Sequence, residues 1–299
     1  MAARGAVTDH AEVFTGLRPL LFTVAYEITG SATDADDILQ DSYLRWAQVD
    51  LDDVENPKSY LAQVVTRQSL NVLRAAGRRR EEYVGPWLPE PLLIDESDPA
   101  DDLVLSESVS TAMMVLLESL VPDERAIFVL REVFGFPHDE IAVMVGKSPA
   151  AVRQAARRAR EHVQSGRKRF VPAGSEVAAA ASALIATAIG GDVQGVMDAI
   201  APDVVLMSDG GGKVTAARRP IHGADKVARF LVGISAQAGE GMTITAASAN
   251  GSPALVIRWE GVVGLVAVFD FLDGLVSGIY LHVNPDKLVA AESVRRIDR

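Results

Sequence analysis

Apolar residues recur with a helical period through the first part of the chain. From Phe14 to Ile28 they fall every three or four residues, and the same spacing returns in several later stretches. The pattern predicts helices over 14–29, 34–46, 57–76, 123–134, 139–145 and 149–163. Thr33 is the expected N-cap of the second helix, because acidic residues follow it in the first turn. We therefore expect this part of the chain to be all-α.

The helix predicted over 149–163 has one apolar face and one arginine-rich face. Ser148 is a favourable N-cap, and Pro149 suits the first helical position. The apolar face consists of Val152, Ala155, Ala156, Ala159 and Val163, and the basic face carries Arg153, Arg157 and Arg160. A short helix and a turn at Gly146 precede it, which together form the helix-turn-helix pattern of DNA-binding proteins. A solvated basic face on an ordinary helical hairpin is the alternative interpretation.

The periodicity changes after residue 175, where aromatic and β-branched residues begin to alternate with polar ones. Helices are expected over 177–189, 193–200 and 224–234, and strands over 204–207, 242–247, 254–260, 262–270 and 275–283. Asn250-Gly251 and Asp273-Gly274 are typical of tight hairpin turns between strands. We expect an α+β cone, in which helices pack on one side of a curved antiparallel sheet.

Composition excludes several kinds of site. The 299 residues include no cysteine, so disulfides, thiolate metal sites and thiol catalysis are excluded. The Ala-rich run over 177–189 is too short to span a bilayer. We therefore expect a cytoplasmic protein with no membrane partner, no cofactor and no bound metal.

Charge is unevenly distributed along the chain, although the net charge is −11. Between residues 140 and 170 there are eight Lys or Arg against two Glu, whereas residues 81–107 contain nine acidic residues and no Lys or Arg. Prolines in 83–91 exclude a regular helix and indicate an extended linker. We predict helical domains at 1–80 and 106–170, an acidic linker at 81–105, and the α+β domain at 175–299.

Two earlier helices carry opposite charge. The helix over 34–46 contains Asp36, Asp37, Gln40 and Asp41, whereas the helix over 57–76 presents Arg67, Asn71 and Arg74 on one face and is followed by Arg78. Taken alone, this pair is as consistent with a structural role as with a functional one.

The order of these segments resembles the bacterial extracytoplasmic-function sigma factors. The segment 36–41 is similar to the polymerase-binding part of sigma region 2. The helix that begins at Pro57 is similar to the promoter-facing helix of that region, and residues 120–160 are similar to sigma region 4. The resemblance implies two partners, core RNA polymerase and promoter DNA. It implies that core polymerase is bound by Asp36, Asp37, Gln40 and Asp41, and that the opened downstream promoter element is contacted by Arg67, Asn71, Arg74 and Arg78. It also implies that the bases of the upstream element are contacted by Arg153, Gln154 and Arg157. Nearer the phosphates are Lys147, Arg158 and Arg160, and Ser148 lies at the start of the helix.

Three short motifs narrow the resemblance to the sigma-J-like type, which carries a SnoaL-like C-terminal extension. They are Trp87-Leu88-Pro89-Glu90-Pro91, Asp209-Gly210-Gly211-Gly212-Lys213 and Asn284-Pro285-Asp286-Lys287. The resemblance implies that the last domain regulates the sigma core and that these motifs make the interdomain contact.

An enzymatic role for the last domain is weighed against this interpretation. Candidate polar residues for a cavity are Asp209, His222, Arg258, Trp259, Asp270, Tyr280 and His282, but no acid/base pair can be assigned from their spacing. Lys213 precedes Val214 rather than Ser or Thr, so the glycine-rich motif does not match a phosphate loop. We do not expect an enzyme. The sequence leaves open an unidentified small-molecule ligand of the last domain, a ligand-sensing helix-turn-helix regulator, and an enzyme fused to a DNA-binding module.

Overall fold

The computed structural model describes residues 9–81, 83–94, 103–166, 175–236 and 241–299. Its helices are α1 His10–Thr29, α2 Ala32–Trp46, α3 Pro57–Glu81, α4 Leu103–Ser108, α5 Thr111–Leu117, α6 Pro122–Phe128, α7 His138–Val145, α8 Pro149–Gly166, α9 Ser175–Ile189, α10 Val193–Ala199, α11 Ala224–Ser235 and α12 Pro285–Leu288. Its strands are β1 Leu93–Ile94, β2 Ile200–Asp209, β3 Ile221–His222, β4 Met242–Ala249, β5 Ser252–Trp259, β6 Val262–Leu272, β7 Leu275–His282 and β8 Val294–Arg295. Short 3₁₀ turns lie at Leu51–Asp53 and Val289–Glu292. Within the described ranges, no helix is both long enough and apolar enough to cross a membrane.

The chain divides into two compact units. The first contains residues 1–76, 120–162 and 297–299, and the second contains 77–119 and 163–296. The domain boundaries expected from the sequence place 106–119 with the second helical domain, whereas these residues belong to the second unit. The reason is their packing, since Ala112 and Val115 of α5 contact an apolar cluster of the α+β domain.

The first unit is helical, and its segments begin and end at residues suited to those positions. Gly30 and Gly146 adopt left-handed conformations at the C-termini of α1 and α7, with φ of 74° and 70°. Arg125 of α6 is fully buried and donates from Nε to the backbone oxygen of Glu27 at 2.8 Å. Burial lowers the pKa of Arg125 to about 10, so the side chain remains charged at neutral pH.

Two details of the first unit differ from the sequence prediction. Ser31, not Thr33, caps α2, because its hydroxyl accepts from the Asp34 amide at 2.9 Å. The helix predicted over 123–134 is α-helical only to Phe128 and continues as a π-helical turn over Val129–Val133.

The second unit is built on an eight-stranded sheet in the order β3-β2-β7-β6-β5-β4-β1-β8. The expected tight turns are present, since Asn250 and Gly251 have φ of 55° and 68°, and Asp273 and Gly274 have φ of 51° and 83°. The sheet is not purely antiparallel, because β2 pairs with β7 in parallel and β1 with β8 in parallel. Ile200 begins β2 instead of ending a helix.

The two faces of the sheet carry separate apolar clusters. Ala267, Phe269 and Phe271 of β6 pack on the face that α9, α10 and α11 cover. Val266 and Val268 point to the other face, where they pack with Leu88 of the linker. The linker therefore supplies part of the core of the second unit, and its strand β1 pairs with β4 and β8.

Candidate nucleic-acid interface and linker cluster

Helix α8 has the amphipathic arrangement that its sequence predicts. Ser148 accepts from the Ala151 amide at 3.2 Å, and Pro149 is the first helical residue. The five apolar residues predicted for its buried face are all buried, with exposures of 5% or less. Arg153 and Gln154 are exposed near the start of the helix, and within the described ranges neither is held by an ion pair or a side-chain hydrogen bond. This end of α8 therefore presents donors to solvent.

The other basic residues of this segment are paired with carboxylates of the same unit. Arg157 pairs with Glu161 at 2.9 Å and Arg158 with Glu124 at 2.6 Å, while Arg160 donates twice to Glu132. The Glu132 carboxylate raises the pKa of Arg160. All three guanidinium groups are substantially exposed, so each pair contributes about 1 kcal/mol or less.

The predicted basic face of α3 is formed, and one of its arginines contacts α7 of the helix-turn-helix segment. Arg67 donates to the backbone oxygens of Val143 and Met144 at 2.8 and 3.3 Å. Ser59 donates to Glu140 at 2.7 Å. Asn71 is exposed on the same face, whereas the side chain of Arg78 lies outside the described residues.

Asp123 joins the two basic segments. Its carboxylate accepts from Arg74 at 2.6 Å and pairs with Lys147 at 2.8 Å. Partial burial raises the pKa of Asp123, but the hydrogen bonds from Lys147 and Arg74 outweigh it and lower the pKa below its ordinary value. The Asp123 carboxylate thus binds one residue from each of the two predicted DNA-binding sets, Arg74 and Lys147.

The acidic helix α2 has an exposed face that carries both polar and apolar side chains. Asp37, Gln40 and Asp41 are exposed, while Asp36 pairs with Arg18 at 3.1 Å. Leu44 lies one turn after Asp41 and is 56% exposed. Sequence reasoning missed Leu44, although its position seven residues after Asp37 puts it on the same helical face.

The three short motifs meet in one cluster of the second unit, centred on Asp209. The residue is 1% exposed, and its carboxylate accepts four hydrogen bonds. The donors are the Tyr83 hydroxyl at 2.6 Å, the Leu88 amide at 2.9 Å, the Gly211 amide at 3.1 Å and the Lys287 ammonium at 2.7 Å. The sequence predicted the motifs that meet here but not Tyr83, whose pKa is raised by burial and by Asp209.

Lys287 completes this linker cluster. Its ammonium also donates to the Leu88 carbonyl and lies 4.2 Å from the centroid of the Trp87 ring and 5.0 Å from that of Tyr83. Asn284 caps α12, which carries Lys287, and donates to the Tyr83 hydroxyl at 2.9 Å. Leu88, Pro89, Glu90 and Pro91 are all buried. The linker is thus bound by hydrogen bonds and by apolar burial together.

Two glycines of the motif at residues 209–213 are required, because other residues lie very close to the backbone there. A Cβ atom on Gly211 would lie 2.3 Å from the Asn284 side chain, and Gly211 and Gly212 have φ of 59° and 72°. A Cβ on Gly212 would lie 3.2 Å from Val84 of the linker. The motif is therefore a loop that permits backbone contact with the linker, as its three glycines suggested.

A second attachment of the linker was not found from the sequence. The side chain of Asn250 accepts from the Leu92 amide at 2.9 Å and donates to the Val109 carbonyl at 2.9 Å. The backbone amide of Asn250 also donates to the Leu92 carbonyl at 2.8 Å. The Asn-Gly pair signalled a turn, but the partners of the Asn250 side chain, Leu92 and Val109, are more than 140 residues away.

The candidate polar residues of the last domain do not converge on one cavity. A cavity of about 720 Å³ lies on the sheet face covered by α9 and α11, and of the seven candidates only Trp259 lines it. Ser208, Ala267 and Leu281 line the cavity. Their chain neighbours Asp209 and His282 point to the opposite face, as the period of a strand requires. Burial lowers the pKa of His282 to about 3, so its ring is neutral at pH 7.

Tyr280 and Asp270 form a separate pair on that opposite face. The Tyr280 hydroxyl donates to Asp270 at 2.8 Å, and burial raises the pKa of Tyr280 well above its ordinary value. His222 is exposed on β3. Among the described residues, no group of His, Asp and Glu side chains is arranged to hold a metal ion.

Comparison with known families agrees with this arrangement. The model of Sigma-70 region 2 matches residues 13–79, and that of Sigma-70 region 4 matches residues 110–163. These matches cover the helices that carry the candidate polymerase-binding and DNA-binding residues.

The relatives are similar over nearly the whole chain. The chain is 37% identical over 293 residues to the ECF RNA polymerase sigma factor SigJ of Mycobacterium tuberculosis, with 93% of each protein covered. It is 27% identical over 265 residues to the probable ECF RNA polymerase sigma factor SigI of that species, covering 88% of this chain and 84% of the relative. The crystal structure of M. tuberculosis SigJ is similar with a TM-score of 0.74 at 32% identity, covering 93% of this chain and 97% of that one. The chain therefore belongs to the extracytoplasmic-function RNA polymerase sigma factors, with sigma regions 2 and 4 followed by a C-terminal α+β domain.

Proposed function

We propose that α8 recognises the upstream promoter element while the chain is bound to core RNA polymerase. The observation that carries this proposal is the exposed pair Arg153 and Gln154 at the start of α8, opposite a fully buried apolar face. Guanidinium and amide groups are the side chains that recognise G and A edges in the major groove. Arg157 lies one turn later on the same face, and Lys147, Arg158 and Arg160 contact phosphates in this proposal.

The downstream element is assigned to α3 through Arg67, Asn71, Arg74 and Arg78. A positive groove with side-chain donors suits melted single-stranded DNA. Because Arg67 and Arg74 contact α7 and Asp123, we propose that the described arrangement is a closed form without polymerase. Residues 120–162 then separate from α3 when the holoenzyme forms, which frees both arginines.

The exposed face of α2 is proposed as the core-polymerase surface. Asp37, Gln40 and Asp41 are exposed on the same helical face as the apolar side chain of Leu44, and Asp36 adjoins them. An apolar residue within a polar rim is typical of protein interfaces. Since polymerase and promoters share the cytoplasm, we also propose that location.

The last domain is proposed to regulate initiation through the linker. Asp209, Lys287 and Asn250 bind linker residues within 83–92; Leu88 and Leu92 are fully buried, and Leu88 packs in an apolar cluster of the domain. Deleting residues from 175 onward would expose Leu88, so truncation combines loss of regulation with loss of stability. Point substitutions in the linker cluster are the cleaner test.

The promoter assignment is tested by polymerase-dependent promoter opening. A promoter selected from a random DNA library by the wild-type holoenzyme serves as template. Arg153→Ala with Arg157→Ala should lower open-complex formation at least tenfold, because each bidentate contact is worth about 1–3 kcal/mol. Arg229→Ala is the control, since Arg229 is also exposed and paired across one helical turn, with Asp225.

Two results would decide between this proposal and a polymerase-independent regulator. Unchanged opening by the Arg153 and Arg157 variant would contradict the groove assignment. Tight sequence-specific binding to the same promoter without polymerase would favour a ligand-sensing helix-turn-helix regulator.

A further inference from the structure

The cavity of the last domain has the size of a small-molecule site. Its volume is about 720 Å³, within the range of roughly 300–1,000 Å³ usual for ligand pockets. It lies in the second unit between α9, α11 and strands β4, β5 and β6, and Ile185, Phe230, Ile234, Ile257 and Leu265 form much of its wall. Apolar side chains thus surround most of the space.

The cavity wall offers little that would stabilise a buried charge. Of the described residues that line it, Arg229 alone is charged, and its guanidinium is bound by Asp225 at 2.8 Å. Ser208, Thr215 and Ser235 supply hydroxyl groups. Because an ionised group without a partner is costly to bury, the wall favours an uncharged ligand with few polar atoms.

Trp259 gives one side of the cavity an aromatic surface. The residue is 36% exposed, and its indole ring packs against β6 at Gly264, where a Cβ atom would lie 2.6 Å from the ring. Ile244 of the neighbouring strand is 37% exposed and also lines the cavity. Gly264 therefore lets the indole lie against the backbone, and the ring face is available for stacking.

The sheet separates this cavity from the buried ionisable groups of the linker-binding face. Asp209, Lys287 and His282 belong to the face that binds the linker, whereas the residues beside them in β2 and β7, Ser208 and Leu281, line the cavity. The cavity therefore has the properties of a binding site rather than of an acid/base centre.

We propose that this cavity binds an uncharged, predominantly apolar, ring-containing small molecule. The ligand contacts the helix faces of α9 and α11 and stacks on Trp259 at the opening. This site is distinct from the polymerase-binding, DNA-binding and linker-binding surfaces. The proposal concerns the cavity alone, so it holds whether or not the last domain regulates transcription.

Two fluorescent probes that share an anilinonaphthalene ring system test the proposal on the full chain. N-phenyl-1-naphthylamine is uncharged, and 8-anilinonaphthalene-1-sulfonate carries a sulfonate. We expect saturable binding of the uncharged probe at one site per chain, at least tenfold tighter than that of the sulfonate. Absence of saturable binding, or equal or tighter binding of the sulfonate, would overturn the proposal.

Gly233 provides the variant that localises the site. It lines the cavity on α11 and is exposed, and a Cβ there would have no heavy atom within 4 Å, so Gly233→Phe should fold and obstruct the cavity. Gly16→Phe is the matched control, because Gly16 is also helical, exposed and free of neighbours within 4 Å. Affinity for the uncharged probe should fall at least tenfold in Gly233→Phe and stay unchanged in Gly16→Phe. With the urea midpoints of both variants matching wild type, equal affinities in the two would overturn the assignment to this cavity.

Discussion

Lys287 Nζ lies 2.7 Å from Asp209 Oδ2, and the two side chains are 10% and 0% exposed. This buried ion pair also binds both backbone groups of Leu88, since Asp209 accepts from its amide and Lys287 donates to its carbonyl. The end of β2, helix α12 and the linker therefore meet at the Asp209–Lys287 ion pair. Because the charges are buried, removing one leaves the other without compensation.

Lys287→Met should lower the free energy of unfolding of the second unit by about 3–5 kcal/mol, the cost typical of breaking a buried pair. Chymotrypsin should then cleave faster at Tyr83 or Trp87, because the linker loses its attachment. Lys213→Met is the control, since the Lys213–Asp286 pair has side chains 54% and 63% exposed and is worth about 1 kcal/mol or less. Urea unfolding and timed proteolysis measure both effects. Equal midpoints for the two variants would contradict the role of the buried pair.

The same variants test regulation by the last domain. In reconstituted transcription, Lys287→Met should change promoter output while its affinity for core polymerase stays at the wild-type value, and Lys213→Met should leave both unchanged. If Lys287→Met initiates as wild type does although its linker is cleaved faster, the linker cluster has no regulatory role.

The closed arrangement of α3 against the helix-turn-helix segment can be locked chemically. Ser59 and Glu140 are in contact, and the chain has no cysteine of its own. Ser59→Cys with Glu140→Cys, joined by a short bismaleimide, should lower polymerase-dependent promoter opening at least tenfold, because Arg67 and Arg74 stay engaged. Each single-cysteine variant treated with the same reagent is the control. Full opening by the cross-linked protein would show that separation is not required.

Leu44 should contribute to polymerase binding. Burying a leucine side chain in an interface is worth about 1.5–3 kcal/mol, so Leu44→Ser should weaken binding to core polymerase at least tenfold. Val262→Ser is the control, because Val262 is 66% exposed but lies in the last domain. Titration of labelled protein with core polymerase gives both affinities. Equal losses in the two variants, or no loss in Leu44→Ser, would remove Leu44 from the interface.

His282 makes stability depend on pH. Its folded pKa of about 3 lies below the ordinary value of 6.5, so the unfolded chain takes up a proton first as the pH falls. Its contribution to stability is therefore complete above pH 6.5 and is lost as the pH falls toward 3, with a slope approaching about 1.4 kcal/mol per pH unit. Between pH 7.5 and 5.5, the wild type should lose about 1.4 kcal/mol more than His282→Gln.

His222→Gln is the matched control for this pH dependence, because His222 is exposed. Urea unfolding at the two pH values should give this variant the same loss as the wild type. A wild-type loss no larger than that of His282→Gln would contradict the burial of a neutral imidazole.

Local signals in the sequence were sufficient for much of the fold. The start of α8 at Ser148 and Pro149 and the turns at Asn250 and Asp273 depend on neighbouring residues only, and the structure has them as predicted. The parallel pairing of β2 with β7 was missed, because strand pairing depends on contacts far apart in the chain.

The sites were predictable to different degrees for the same reason. Periodicity indicated the basic face of α8 and the face of α3. In contrast, Asp123, whose carboxylate pairs with Arg74 of α3 and with Lys147 before α8, was identified only as part of a predicted helix. The resemblance brought Asp209 and Lys287 into one set, but Asn250 has a side chain whose partners no local pattern reveals.

The attachment of residues 83–94 to the α+β domain defines which parts of the chain can be exchanged between relatives. A chimera that takes residues 175–299 from another sigma factor and keeps this linker would pair Leu88 and Leu92 with foreign counterparts of Asp209, Lys287 and Asn250. The modular boundary for recombination therefore lies before Tyr83 rather than at residue 175, and the linker should be inherited together with the domain that binds it.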